Sequence, residues 1–468
     1  MPHSPLQTAY RKGLRWSFIG SAGSGMLQFA QIALFARLAG PEAAGDYALA
    51  ATFVSFLTPV AEAGLSQAVV QAASVHPRQL ATLAWVNMGL GLLLLTGLAL
   101  AGPFLGQWFG RADLQGLLLL MGASLVVTPF GAQYAGLMAR ELRFDQSARI
   151  EIVSWLVSFM YTVLMAWRGG GAWAIAGGFL LRNIVATLGC VWAGRTIMAV
   201  PWRAPGGFRE AGALLRFGAY ELSSRWADFF SNYLDKLIVA KWLGAEALGY
   251  YHLAFSFLLL PTARIGYVVT RVAFPLIARV RDDHAQLQAF YERPAKEVVL
   301  LLFPLYTGLV LFAEEITRIG FGDQWLPAAP LMIAFGIAGL VRSLCAPFPQ
   351  LVKGLGKPQY WLWWMLVFSA VLCLTLAVFL HFSPDVVSAA WSRTAAKYCF
   401  ELAMLGWLAR LCGVKMAPVL RFAGKTLFIL LVLSLLTLLA EHITRLLWLK
   451  ALVFGGGVLV LWVRAWKR

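Results

Sequence analysis

The stretch Ala36-Arg-Leu-Ala-Gly-Pro-Glu-Ala-Ala-Gly-Asp-Tyr-Ala-Leu-Ala50 returns later in the chain as Ala240-Lys-Trp-Leu-Gly-Ala-Glu-Ala-Leu-Gly-Tyr-Tyr-His-Leu-Ala254. Ala36, Gly40, Glu42, Gly45, Tyr47 and Leu49 fall in register on Ala240, Gly244, Glu246, Gly249, Tyr251 and Leu253. Shared spacing of this length is the mark of an internal duplication, here with a shift of about 204 positions. The first apolar segment of the chain then lies on the seventh and the second on the eighth. Six crossings separate the copies, and an even number preserves orientation. The halves are therefore expected to be parallel repeats related by a pseudo-two-fold axis along the membrane normal.

Working outward from the repeat, apolar segments are expected near 14–36, 44–70, 80–101, 114–137, 148–167, 171–193, 213–240, 246–270, 296–313, 326–346, 361–381, 385–408, 418–440 and 446–463. Most are the ~20 residues needed to cross a hydrocarbon core of about 30 Å. The 468 residues are 60% hydrophobic and only 13% charged, about half the charge of an ordinary soluble protein. The expected fold class is all-α and polytopic, with about fourteen transmembrane helices. The domain reading is an N-terminal lobe at 1–195, a basic cytoplasmic linker at 196–212, a C-terminal lobe at 213–412 and a final helix pair at 413–468.

The formal net charge of +17 invites a nucleic-acid reading, but its placement argues against one. With the N-terminus inside, roughly 25 Lys and Arg fall on the inner side and roughly seven outside, a strong positive-inside bias. The basic clusters Arg11/Lys12/Arg15, Arg140/Arg143/Arg149 and Arg464/Lys467/Arg468 share one side. Both termini are expected to be cytoplasmic, with the segment Arg279 to Lys296 forming an amphipathic cytoplasmic helix. Cys190, Cys345, Cys373, Cys399 and Cys412 lack metal-ligand spacing and read as small buried side chains. Trp16, Trp108, Trp202, Trp325 and Trp448 read as anchors at the water–lipid boundary.

Both halves open on a polar stripe. The first helix carries Ser17, Ser21, Ser24, Gln28 and Gln31, and the seventh carries Glu221, Arg225, Asp228, Asn232 and Asp235 at the same spacings. Steps of three and four keep each set on one helical face. A charge at the bilayer centre costs about 2.5–3.5 kcal/mol even on the lenient insertion scale, so such a row must face protein or water. Further charges occur at Glu62, Arg182, Lys236, Arg264, Arg342, Arg393, Lys397 and Glu401, with cations in excess. Arg393, Lys397 and Glu401 recur every four residues on the twelfth helix. One reading is a packed polar seam. The other is a hydrated cavity with a cationic bias, suited to an anionic ligand. In that cavity Ser24, Gln28, Gln31, Asn183 and Asn232 suit sugar hydroxyls. Arg182, Arg225, Arg264, Arg342, Arg393 and Lys397 suit a pyrophosphate, because guanidinium matches phosphate oxygens in a fork. Asp228, Asp235 and Glu401 would pair with these cations or hold a coupling proton or sodium ion.

Several segments carry a family resemblance. They are Arg37 to Ala50 followed by Glu62-Ala-Gly-Leu-Ser-Gln-Ala68, and Asp235 to Gly244 leading to Leu248-Gly-Tyr-Tyr251. Phe274-Pro275, Arg281-Asp282-Asp283, Met138-Ala-Arg-Glu-Leu-Arg-Phe144 and Gly171-Ala-Trp173 complete the set. In this order they resemble the Wzx-type, colanic-acid-exporter-like branch of the multidrug/oligosaccharidyl-lipid/polysaccharide (MOP) exporter superfamily, over most of the first twelve helices. The resemblance implies a MATE-like fold of two six-helix lobes that open alternately to either side. It implies an undecaprenyl-pyrophosphate-linked oligosaccharide as cargo, moved to the periplasmic leaflet of the bacterial inner membrane for exopolysaccharide, O-antigen or capsule assembly. No cofactor is implied beyond coupling to a proton or sodium gradient or the membrane potential. The implied partners are the lipid-linked oligosaccharide, the bilayer, and a polysaccharide polymerase with other assembly proteins; no nucleic acid is implied. The last helix pair would form a lipid-tail groove, as in related lipid II flippases, or serve packing. Arg182, Arg225, Arg342 and Arg393 align with no family motif, so their roles rest on chemistry alone.

Two alternatives stand beside this reading. Another transporter of the superfamily, a lipid II flippase or a drug/cation antiporter, would share the fold, although a cationic cavity disfavours a cationic drug. A polysaccharide polymerase or ligase would be expected to carry a large outer loop, and here the longest loop is cytoplasmic.

Overall fold

The computed structural model describes residues 5–62, 76–201, 226, 229–262, 284–346, 352, 358–444 and 447–466. Among them ten spans are long and apolar enough to cross a membrane. Two of these, Ile19–Glu62 and Phe229–Thr262, each hold a break. The helix Pro5–Glu62 is interrupted by Gly40 at φ 79°, ψ 175°, and Gly244 adopts φ 85°. Positive φ is open to glycine at little cost, whereas a side chain there would be strained. The two glycines are partners in the sequence repeat, so the duplication reappears as the same backbone break in each half.

Those breaks define α1 (5–39) and α2 (41–62) in the first half, and α7 (229–243) and α8 (245–262) in the second. Between them lie α3 (Pro77–Phe109), α4 (Leu114–Arg140), α5 (Phe144–Trp167) and α6 (Gly171–Gly194). The remainder are α9 (His284–Leu311), α10 (Ala329–Cys345), α11 (Pro358–Phe382), α12 (Val386–Cys412), α13 (Ala417–Thr444) and α14 (Leu447–Trp466). The fourteen helices expected from the apolar segments are thus present among the described residues. Helix is the natural answer to lipid, since each backbone donor and acceptor finds its partner within its own segment.

Two boundaries differ from the sequence expectation. The amphipathic segment before the ninth helix runs unbroken into α9 from His284. Lys296–Glu292 and Arg293–Glu297 pairs, at 2.5 and 3.2 Å, bridge successive turns there. Beyond α9 the chain forms a short amphipathic helix, Ala313–Phe321, and a 3-10 turn, Asp323–Ala328. Trp325 in that turn is fully buried, edge-on to Tyr250 with ring centroids 5.8 Å apart. It is a packing residue and not the boundary anchor the sequence suggested, whereas Trp108 is exposed as expected. Cys345 is buried but Cys399 is exposed.

The chain divides into two compact units, Met1–Gly249 and Tyr250–Arg468. In the first, Leu80, Leu83, Tyr134 and Leu137 form a core between α3 and α4. The outer faces present Leu92, Leu93, Leu100 and Phe104, as lipid contact requires. In the second, Val299 and Phe303 of α9 pack with Leu344, Met404, Val419, Leu430 and Phe454. That core binds the last two helices to the rest of the unit. The Trp462 indole N–H adds a bond to the Leu300 carbonyl at 3.1 Å. The expected linker at 196–212 falls largely outside the described residues.

Candidate functional site: a buried cationic cluster on α10 and α12

Steps of four residues place Arg393, Lys397 and Glu401 on one face of α12. That face is turned inward: Arg393 is 2% exposed, Lys397 9% and Glu401 3%. Two bonds fix α12 against α10, Thr394 Oγ1 to the Ala334 carbonyl at 3.1 Å and Tyr398 OH to the Ile337 carbonyl at 3.0 Å. Arg342, in the last turn of α10, completes the cluster.

Lys397 Nζ stands 3.0 Å from Glu401 Oε1 and 4.3 Å from the Phe368 ring centre on α11. The Arg393 guanidinium lies 4.5 Å from the Phe255 ring centre. Both cations therefore rest on aromatic faces, which recover part of the hydration lost on burial. Glu401, Arg342 and Arg393 all act electrostatically on Lys397. Tyr306 on α9, within reach of Arg342 and Glu401, donates to the Leu258 carbonyl at 2.6 Å.

Among the described residues three cations and one carboxylate share this space, and one polar atom each of Arg342 and Glu401 is unused. Arg342 Nε and Glu401 Oε2 have no hydrogen-bond partner among the described residues. An uncompensated buried charge is costly, so a cluster of this sign is suited to receive an anion.

Most of the other expected residues belong to the first unit. Arg182 on α6 stacks on Trp155 at 4.7 Å, contacts Asn183 Oδ1 at 3.4 Å and lies within electrostatic reach of Tyr47 on α2. On α7, Asp235 is fully buried and Asn232 half-buried, while Lys236 sits 4.5 Å from the Tyr233 ring centre. Gln28 is half-buried on α1. Arg225, Asp228, Glu221 and Arg264 lie outside the described residues, as does the side chain of Ser17.

Ser24 and Gln31 make direct contacts to α5. Ser24 donates to Glu151 Oε1 at 2.6 Å. The Gln31 amide donates to Thr162 Oγ1 at 3.0 Å and accepts from Ser158 at 3.2 Å. Both side chains are buried and form a polar seam between α1 and α5. Such a seam arises because hydrocarbon offers these groups no partner, so a neighbouring helix must.

Two charged groups escaped the sequence reading. Glu151 on α5 is the acceptor for Ser24. Lys450 on α14 is 3% exposed, pairs with Glu315 and lies 5.1 Å from the Phe312 ring centre. Beside it a cavity of about 520 Å³ is lined by Val310, Glu314, Glu315, Ile333 and Lys450. An isolated ionisable residue inside an apolar segment was the available signal for both.

The fourteen helices among the described residues and the duplicated break define a polytopic membrane protein, and its fold is that of the solved MOP-superfamily transporters. The inward closed lipid II flippase MurJ superposes with a TM-score of 0.76 at 15% identity, covering 96% of this chain and 99% of that one. The profile of the polysaccharide biosynthesis protein family matches residues 34–330, and the chain belongs to that family. Teichuronic acid biosynthesis protein TuaB of Bacillus subtilis is 28% identical over 355 residues, 75% of this chain and 72% of its own. Succinoglycan biosynthesis transport protein ExoT of Rhizobium meliloti is 25% identical over 359 residues, 76% and 71% of the two chains.

Proposed function

We propose that this protein is an alternating-access flippase for an undecaprenyl-pyrophosphate-linked oligosaccharide, moving it from the cytoplasmic to the periplasmic leaflet for polysaccharide assembly. The observation that carries the reading is the cluster of Arg342, Arg393 and Lys397 with Glu401, buried among membrane helices. A sugar diphosphate cannot cross hydrocarbon unaided, and fixed cations facing the interior replace the water its phosphates lose. Arg182, Asn232, Asp235, Gln28, Ser24, Gln31, Arg225, Asp228 and Arg264 are proposed as further substrate contacts on the strength of their chemistry. The protein acts as a transporter and not an enzyme. It sits in the inner membrane with both termini cytoplasmic, as the placement of Lys and Arg supports. The division into lobes at 1–195 and 213–412, with an added pair at 413–468, belongs to this reading. So do coupling to a proton or sodium gradient or the membrane potential, and cooperation with a polymerase.

The test is reconstitution in vesicles with a fluorescent lipid-linked oligosaccharide and an assay of leaflet accessibility. Transfer that requires the protein supports the reading. Transfer of lipid II alone, with none of several lipid-linked glycans, overturns it in favour of a lipid II flippase.

A further inference from the structure

Where α12 turns into α13, the second unit carries basic groups on its outer surface. Arg410 lies in the last turn of α12, Lys415 in the loop 413–416, and Arg421 and Lys425 one turn apart on α13; all four are exposed. Arg421 and Lys425 share their face of α13 with Leu420, Phe428, Ile429 and Val432, which are exposed too. A row of exposed apolar side chains on a membrane helix faces lipid. At the adjoining end of α9, by contrast, Lys296 and Arg293 rest on Glu292 and Glu297. None of the four cations has such a partner among the described residues.

Charges that only orient a chain in the membrane belong in loops and at helix ends. Lys425 is set deeper, about 12 Å along α13 from Ala417 at 1.5 Å per residue. The boundary itself is marked on the neighbouring helix by Trp407, which is exposed, stacks on Trp364 of α11 at 5.5 Å between ring centres and meets Tyr360 edge-on at 5.5 Å. Such aromatic groups collect at the headgroup level. Helical side chains lean toward the N-terminus of their own helix, so Lys425 leans back toward Arg421 and the loop, and its stem lies along apolar surface. Gly424 keeps the helix surface between them low, since a Cβ there would meet nothing within 4 Å. The loop is held in place by Gln288 of α9, whose amide donates to the Lys415 carbonyl at 3.0 Å and accepts from the Lys415 N–H at 2.7 Å.

We infer that this surface binds the headgroup of an anionic membrane phospholipid, with Arg421 and Lys425 on its phosphate and Arg410 and Lys415 at its flank. A phospholipid meets both parts of the surface together. Its phosphate takes the exposed cations at the boundary, and its acyl chains lie on Leu420, Phe428 and Ile429. A net negative headgroup is favoured over a zwitterionic one because the latter brings its own ammonium group to the same cations. The occupant is a lipid of the surrounding bilayer and not the cargo, because these side chains face outward whereas Arg393 and Lys397 face the interior. The site is independent of the flippase reading. Through Lys415 and Gln288 the bound lipid braces the loop against α9, so its occupancy stabilises the second unit.

The experiment measures equilibrium binding of fluorescent phosphatidylglycerol and phosphatidylcholine to the purified full chain in detergent, with the thermal unfolding midpoint read alongside. The wild type should bind phosphatidylglycerol about tenfold more tightly and unfold later in its presence, and high salt should weaken the preference, as exposed charges require. Arg421→Gln/Lys425→Gln should abolish the preference. The charge-preserving pair Arg421→Lys/Lys425→Arg should keep it, as should Arg78→Gln, which removes an exposed cation from α3. Arg410→Gln/Lys415→Gln should weaken it and serves as the test if the first pair does not fold. Equal binding of the two lipids by the wild type, or a preference intact in either folded double variant, overturns the inference. Tighter binding of a short-chain prenyl diphosphate than of phosphatidylglycerol, lost with the same substitutions, also overturns it and gives the face to the cargo. None of these outcomes bears on whether the chain flips a lipid-linked glycan, which the vesicle assay decides.

Discussion

Gly45 and Gly249 occupy equivalent positions of the two repeats, and each lies against the backbone of the other's segment. A Cβ on Gly45 would fall 1.7 Å from the Ala245 carbonyl oxygen, and a Cβ on Gly249 would fall 2.0 Å from that of Pro41. Pro41 and Ala245 are themselves repeat partners, so the contact is reciprocal, with the self-complementarity of a two-fold interface. The α2 and α8 backbones touch here because neither repeat places a side chain between them.

Substituting either glycine by alanine should therefore destabilise the protein to a similar extent, by about 1–3 kcal/mol as in other overpacked contacts. Thermal unfolding in detergent checks this. Gly97→Ala, where a Cβ meets nothing within 4 Å, should leave the midpoint unchanged. Unequal effects at Gly45 and Gly249 would argue against the reciprocal contact.

Neutralising the cluster separates transport from folding. Arg342→Gln and Arg393→Gln should each reduce flipping at least tenfold while yield and size-exclusion profile stay those of the wild type. Normal transport in both variants would remove the cluster from the substrate path. Lys397→Met differs, because it strands Glu401; breaking a buried pair from one side costs about 3–5 kcal/mol, so this variant should also unfold earlier.

Gln31→Leu should act on stability. It removes the partner of Ser158 and Thr162, although Ser158 keeps a bond to the Gly178 carbonyl at 2.9 Å. An unsatisfied buried hydroxyl costs about 1–3 kcal/mol. The melting midpoint should fall, and retained affinity for a diphosphate-linked probe would make Gln31 a packing residue only. Weakened binding at unchanged stability would place Gln31 on the substrate path.

In the loop after α3, Arg111 grips Asp46 at 2.6 and 2.7 Å and Glu42 at 2.8 Å. Its proton is held more firmly than usual, chiefly by the Asp46 bond. The guanidinium is charged throughout the accessible range, so the contact should not vary with pH through Arg111. With 26% of that side chain exposed, solvent screening leaves roughly 1 kcal/mol. Arg111→Gln should lower the unfolding midpoint slightly, and a cysteine placed at Asp113 should react faster with a polar maleimide. Unchanged labelling would show that the loop is held by other means.

Much of this protein is legible in one dimension. Apolar length fixes the helices, because lipid leaves the backbone no alternative partner. The shift that pairs Gly40 with Gly244 is legible in the sequence, whereas the backbone breaks at both are seen in the fold, where glycine tolerates positive φ cheaply. The four-residue spacing of Arg393, Lys397 and Glu401 put them on one face, which is a property of the helix alone. Tertiary structure decided what each face meets. Ser24 and Gln31 carry a stripe signal in the sequence, and only the position of α5 shows that they bond to Glu151, Ser158 and Thr162. Lys450 acquires meaning from Glu315, far away in sequence, and Glu401 from Arg342 on another helix. Periodicity names the face of a helix, whereas its neighbour depends on how several helices share a limited volume. No single segment carries that information.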